Sequence, residues 1–449
     1  MKCILSLLLA SLLLLTGACA EAAEPDWQAV AQNQLELFAG GDFEAMRDEM
    51  TDELADALTV DALKGTLDSL GAVEDWAFSG ISEQQGFRIV CFSVNQGGAN
   101  YQYRFVLDAD ARLAGWQIAP GASQAATSAP AADVYAEDVR LRPGEPDDTQ
   151  AILTLPAAEG TFPAVILVQG SGPSDRDETV GAVAPFRDLA EMLTRRGIAV
   201  IRYDKRTYVY GQEIASSADF TAFTVEEETI QDAITAGRML AEDPRIDASR
   251  IFVLGHSLGA MLAPRIVAES DGLFCGMILA CGTNRSLLEI MLRQNEDAIA
   301  ALPEDQQAAY QPMLAEARAQ LKQLPSLDGD AARALTILGQ PGYYFWDMVQ
   351  KPTAAEYLAQ LQLPALIING SRDFQINEEE GRQTWESVLP MDAPWLKTLW
   401  ADVNHMLMKP EVDASAAGTT MEYYVPCTVD AETVSVIADF ILTTEETNP

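Results

Sequence analysis

From about residue 160 onward, two kinds of stretch alternate along the chain. Short aliphatic runs, apolar at nearly every position, occur at Ala164–Val168, Ala199–Tyr203, Ile251–Leu254, Met277–Ala280 and Ala365–Ile368, and a further strand reads at Leu396–Leu399, where Lys397 and Thr398 interrupt the pattern. Such runs are the signature of strands covered on both faces. Between them, Phe186, Leu189, Ala190 and Leu193 recur at helical spacing until Gly197, and Ile230, Ala233, Ile234, Gly237 and Leu240 do the same. Strands and amphipathic helices in turn predict an α/β fold: a doubly wound, mostly parallel sheet whose ligands bind at the carboxyl ends of the strands.

The first 120 residues read differently. Asp26–Ala39 has Trp27, Val30, Ala31 and Phe38 on one side and is stopped by Gly40-Gly41, with more helix to about Leu70. Trp76–Phe78, Phe87–Phe92, Tyr101–Leu107 and Leu113–Ile118 then alternate as half-buried antiparallel strands do. The expectation is a small α+β, cone-like domain over 25–119, a linker of small uncharged residues over 120–132, and the larger domain over 133–445. Inside the larger domain, 283–350 is rich in Ala, Leu, Gln and Glu, with helical stretches at Ser286–Ile299 and Glu304–Leu324. Placed between two strands, it predicts a helical cap.

The amino terminus changes the setting. Lys2 precedes an apolar run from Ile4 to Leu15, too short to span a bilayer and followed by small residues. Residues 1–20 therefore read as an export signal with two competing endings. Ala18-Cys19-Ala20 suits cleavage before Glu21, whereas Thr16-Gly17-Ala18-Cys19 resembles a lipoprotein box that would put a lipid on Cys19, with Thr16 where an aliphatic residue is usual. Both place the mature protein outside the cytoplasm, secreted or lipid-anchored. No other stretch approaches about 18 apolar residues, so that lipid is the one membrane attachment expected.

Composition narrows the partners. A net charge of −38 excludes nucleic acid and anionic membrane surfaces, which require clustered Lys and Arg. Of the six cysteines, Cys91, Cys275, Cys281 and Cys427 lie beyond the leader. Cys275 and Cys281 flank a strand and are held roughly 20 Å apart, out of disulfide reach. With two histidines and no Cys-x-x-Cys spacing, no metal site is expected. Nothing in the composition marks an oligomeric state.

Chemistry enters at Gly255-His256-Ser257-Leu258-Gly259, which lies between a strand and a helix. Gly-x-Ser-x-Gly should arise by chance roughly 0.1 times in a chain of this length. In this setting it reads as a nucleophile elbow, which lifts Ser257 above the end of a parallel sheet. A serine nucleophile needs an imidazole to take its proton, and the imidazole needs a carboxylate. His256 diverges from Ser257 in the elbow, so His405 is assigned by elimination; it lies in Ala401–His405, after the last strand. Asp373 follows the preceding strand at Ser371-Arg372-Asp373 and is favoured as the acid over Asp402, three residues from His405. The loop Gln169-Gly170-Ser171-Gly172-Pro173 exposes backbone amides, making Ser171 and Leu258 the expected oxyanion donors. Asp175-Arg176-Asp177 and Asp204-Lys205-Arg206 read as charge-paired braces.

Taken with the elbow, the block Val168–Glu178, Ile201–Arg206, Asn369–Asp373 and Asn404-His405 resemble bacterial α/β-hydrolase carboxylesterases of the EstD type, over about residues 135–445. The resemblance implies hydrolysis of a small-molecule carboxylic ester by Ser257, Asp373 and His405 with no metal or organic cofactor. It departs at Gln169, where such hydrolases often carry histidine. Tyr343-Tyr344-Phe345-Trp346 reads equally as a substrate pocket, through Tyr344 and Trp346, or as the packed core of the cap. A serine aminopeptidase would use cap carboxylates such as Glu289, Glu296, Glu304 and Glu316 for a substrate amine. A catalytically idle surface binding protein would leave the role to the N-terminal domain, which shows no recognisable chemistry and reads as an interaction module.

Overall fold

The computed structural model describes residues 25–84, 87–97, 99–120, 134–300, 304–412, 414 and 416–444. The leader with Cys19, and the linker from residue 121, lie outside the described residues. The chain divides into two compact units, Met1–Ala126 and Thr127–Pro449.

In the first unit, helices Trp27–Gly40, Phe43–Asp48, Asp52–Ala57 and Val60–Leu70 precede a four-stranded antiparallel sheet: β1 (Val73–Gln84), β2 (Phe87–Gln96), β3 (Ala99–Leu107) and β4 (Leu113–Pro120), in that order. Asp26, Asp42, Thr51 and Thr59 each accept the amide three residues on, so all four helices start on a side-chain cap. Each cap contributes about 1 kcal/mol. Leu35, Phe38 and Met46 from the helices meet Phe92, Tyr103 and Phe105 from the sheet, and Trp116 packs 4.8 Å from the Phe38 ring. The first helix is rotated from the sequence expectation: Ala31, Gln34, Leu35 and Phe38 face inward, while Trp27 and Val30 are only half-buried.

The second unit is built on an eight-stranded sheet. A hairpin of β5 (Val134–Leu141) and β6 (Thr149–Pro156) comes first, followed by β7 (Phe162–Val168), β8 (Ala199–Tyr203), β9 (Ile246–His256) and β10 (Gly276–Ala280). The insertion holds a small hairpin, β11 (Thr336–Ile337) and β12 (Gln340–Pro341); β13 (Ala365–Gly370) and β14 (Leu396–Ala401) complete the sheet. The order is β14-β13-β10-β9-β7-β8-β6-β5, parallel from β14 to β8 and antiparallel at β6 and β5. From β7 the chain steps one way to β8 and then returns to β9 on the other side. The loops after β7 and β9 thus open side by side at the switch point, where this architecture binds ligands.

Alternate residues of β7 explain the aliphatic run. Ala164, Ile166 and Val168 face helices Gln231–Glu242 and Leu258–Glu269, while Val165 and Leu167 face helices Pro185–Thr194 and Ala431–Thr443. Both faces are covered, and each fully buried Val, Leu or Ile contributes about 1.5–3 kcal/mol. The insertion between Ala280 and Ala365 folds into helices Leu287–Ala300, Glu304–Gln323, Gly329–Arg333, Gly342–Val349 and Ala354–Leu361. Two segments, Glu226–Ile230 and Glu379–Gln383, wind as π turns. Among the described residues no helix is long and apolar enough to cross a membrane.

Candidate active site

Ser257 sits at φ 54°, ψ −115°, a conformation that L residues avoid and that costs about 1–3 kcal/mol. Its amide donates to the Ala280 carbonyl at 2.9 Å, and its carbonyl accepts from Ala260 and Met261, which starts helix Leu258–Glu269. The two glycines are there for space. A Cβ on Gly255 would lie 2.0 Å from the Gly259 oxygen, and one on Gly259 would lie 2.2 Å from the Val168 oxygen. The helix start leaves the Leu258 amide without a backbone acceptor among the described residues.

Asp373 and His405 meet at the carboxyl end of the sheet, in the loops after β13 and β14. His405 Nδ1 lies 2.7 Å from Asp373 Oδ2, and both side chains are buried. The other carboxylate oxygen accepts the amides of Gln375 and Ile376, at 2.9 and 2.8 Å. The loop of His405 is folded by Asn404, whose Oδ1 accepts the Met406 and Met408 amides while its Nδ2 donates to Glu422. The rival carboxylate, Asp402, turns outward into a bidentate pair with Arg372. No hydrogen bond joins His405 to Ser257 Oγ, a link that substrate-free sites often leave long.

The loop after β7 lies against the elbow: a Cβ on Gly170 would come within 3.1 Å of Ser257 Cβ. Both peptide groups of Gly170 are held. Its N–H donates to Glu178 Oε1 at 2.7 Å, and its carbonyl accepts from Lys205 Nζ at 2.9 Å, which also donates to the Gly172 carbonyl. In a planar trans peptide C=O and N–H point in opposite directions, so Lys205 fixes the direction of the Ser171 N–H. That N–H has no backbone acceptor among the described residues. Lys205 is itself buried and paired with Glu228 at 2.6 Å. Gln169, the departure noted above, supports the loop by donating to the Tyr203 carbonyl. The charged runs are paired: Arg176 with Asp204 of the other run, Asp177 with Arg202 of β8, and Arg206 with Asp232 of helix Gln231–Glu242.

His256 has a place that sequence reasoning did not give it. Its Nδ1 lies 2.9 Å from Glu178 Oε1, and its Nε2 lies 2.8 Å from the His405 carbonyl. Burial alone would push its pKa down, but the charge and hydrogen bond of Glu178, the His405 carbonyl and the charge of Asp373 outweigh it, so the net shift is upward. His256, Cys281 and His405 place ligand atoms within 4.8 Å of one another. Three of the four imidazole nitrogens are already engaged, and burial, with the charge of Asp373, holds the Cys281 thiol far above its usual range. That chemistry suits a packed trio rather than a metal centre. Cys91, Cys275, Cys281 and Cys427 are free thiols.

In the cap, the Tyr344 hydroxyl donates to Glu228, which joins helix Gly342–Val349 to Lys205. Trp346 stacks on Tyr343, and its indole N–H donates to the Leu327 carbonyl. The polar atoms of both predicted pocket residues are thus spent on bracing the cap. Of the glutamates considered for an amine site, Glu289 accepts from the amide and hydroxyl of Ser286, Glu296 pairs with Arg318, and Glu316 accepts from Gln320. The side chain of Glu304 lies outside the described residues.

Esterase EstD of Thermotoga maritima is 34% identical over 294 residues, which are 65% of this chain and 64% of that protein. The chain therefore matches somewhat less than two thirds of that relative's length. Among solved structures, an esterase of Pyrococcus furiosus aligns at 17% identity and a TM-score of 0.40, covering 69% of this chain and 90% of its own. An acylaminoacyl peptidase of Pyrococcus horikoshii aligns at 11% and 0.42, covering 84% and 51%. Residues 165–417, more than half of the chain, match the alpha/beta hydrolase family and hold the elbow, the Asp373–His405 pair and the clamped glycine loop; the chain belongs to that family.

Proposed function

We propose that this protein is a serine hydrolase of small carboxylic esters. The observation that carries the reading is the buried Asp373–His405 hydrogen bond, set in the loops after β13 and β14 of a sheet whose β9 ends in the strained elbow at Ser257. Ser257 Oγ attacks the ester carbonyl and gives its proton to His405 Nε2. Asp373, held by two amides, fixes the tautomer and stabilises the imidazolium. The Ser171 and Leu258 amides, which have no backbone acceptor of their own, hold the developing oxyanion. The alcohol leaves with the proton of His405, and water attacks the acyl-enzyme through the same base.

The name of the Thermotoga relative supports an ester over an amide, as does the engagement of Glu289, Glu296 and Glu316 within the cap. The test is a burst assay with short p-nitrophenyl esters. Ser257→Ala and His405→Ala are each expected to lose about 10³-fold or more in kcat. Turnover at the parent rate in either variant would sink the reading. On the apolar run after Lys2, the same reading places the mature chain outside the cytoplasm, a lipid on Cys19 being the alternative to free secretion. Mass spectrometry of the exported amino terminus tests it; an uncleaved Met1 would refute it.

A further inference from the structure

We infer that Glu178 and His256 form a two-sided strut that holds the oxyanion loop in register with the loop of His405. The inference rests on the triad reading above. A carbonyl oxygen only accepts, so the 2.8 Å contact with the His405 carbonyl requires a hydrogen on His256 Nε2. On the other side of the ring, Glu178 Oε1 lies 2.9 Å from Nδ1 and already accepts the Gly170 N–H at 2.7 Å. The sequence of contacts runs from the Gly170 amide, one residue before Ser171, through carboxylate and imidazole to the backbone of the general base. It links partners 78 and 149 residues apart.

A buried pair of this kind is a poor source of stability, because desolvation offsets its attraction. The second oxygen of Glu178 shows that cost: it is buried and has no hydrogen-bond partner among the described residues. What the pair supplies is distance. Ser171 N–H and His405 Nε2 must stand on either side of the same ester carbonyl, and a 1 Å error there can cost about 10²-fold in rate. His256 touches neither substrate nor Ser257 Oγ on this reading, so it is a positioning residue.

Two variants separate the ends of the strut. His256→Asn keeps a donor toward Glu178 and drops the His405 tether. Glu178→Gln can face its oxygen to Gly170 or its amide to a bare Nδ1, but cannot serve both. With a p-nitrophenyl ester, both are expected to lower kcat by about 10- to 100-fold and leave KM within about twofold, while fluorophosphonate still labels Ser257 fully. If Ser257→Ala and His405→Ala are dead but these two keep the parent kcat, the strut is refuted and the esterase reading stands. If Ser257→Ala or His405→Ala turns over normally, both fall. Should either strut variant fail to fold, ¹⁵N-histidine NMR of the parent protein decides. A protonated Nε2 on His256 is expected, and an unprotonated one overturns the inference.

Discussion

Two histidine regions lie side by side in this molecule and have been put to different uses. His405 and His256 are both buried, with ring centroids 4.8 Å apart, and each has a carboxylate against Nδ1: Asp373 at 2.7 Å and Glu178 at 2.9 Å. They part at Nε2. That of His256 is consumed by the His405 carbonyl, whereas that of His405 has no protein partner among the described residues. The carboxylates differ in the same sense. Asp373 has both oxygens satisfied, while Glu178 loads two donors on one oxygen and leaves the other bare. One imidazole with a nitrogen to spare can move a proton; one with none can only hold things apart. The difference lies in the neighbouring backbone, not in the residue type.

The comparison predicts unequal damage when the carboxylates are neutralised. Asp373→Asn should cost about 10⁴-fold in kcat, because the amide leaves His405 in the wrong tautomer. Glu178→Gln, at about 10- to 100-fold, should fall far short of that; equal losses in a side-by-side kinetic assay would erase the distinction. Next in size is Lys205→Met, which strands the buried carboxylate of Glu228. A loss of about 3–5 kcal/mol is expected from urea unfolding, together with a fall in kcat as the Gly170 peptide is released.

Smaller still is a pH effect. His256 is raised above its ordinary 6.5 in the folded state, facing Glu178 from the loop after β7, Asp373 from the loop after β13, Cys281 at the end of β10 and the His405 carbonyl. Its pairing should stabilise the fold fully below pH 6.5 and fade as the pH rises through the elevated value. The parent urea midpoint should therefore decline on the alkaline side, with Glu178→Gln flatter over the same range. The least effect belongs to Asp402→Asn: its carboxylate is exposed and bound to Arg372, and kcat should stay within about twofold.

Much of this was legible because burial writes itself into the chain. β7, β8, β10, β13 and the second half of β9 are covered on both faces and read as aliphatic runs, whereas β14, at the edge of the sheet, leaves Lys397 and Thr398 exposed. The β5–β6 hairpin escaped because its edge strand carries Glu137, Asp138 and Arg140, charges that break the apolar pattern and look like loop. Ser257 carries a motif, and the scarcity of histidine pointed to His405. Glu178 and His256 had no such mark: they stand far apart in sequence, and a carboxylate in a charged run looks like any other brace. Lys205 was expected to pair with an acid, and does. That it also grips two carbonyls of the glycine loop is a tertiary fact with no local signal. The cap aromatics were ambiguous for the opposite reason, since the same rings suit a pocket or a core.

The π turn at Glu226–Ile230 gives the site an unusual dependence on chain length. The Gln231 N–H reaches back five residues to Glu226, so this helix holds one residue more than an α-helix would need. Removing one, Thr229 for example, would let the turn relax to α-helix with its flanks kept in phase, so that the side chains inside the turn are redistributed and Glu228 is shifted off its line to Lys205 and Tyr344. Activity of such a deletion on long against short acyl chains would show whether the cap still governs the glycine loop; unchanged selectivity would argue that it never did. On this view a single codon gained or lost, with every side chain otherwise kept, is enough to couple a cap to a catalytic centre or to set it loose.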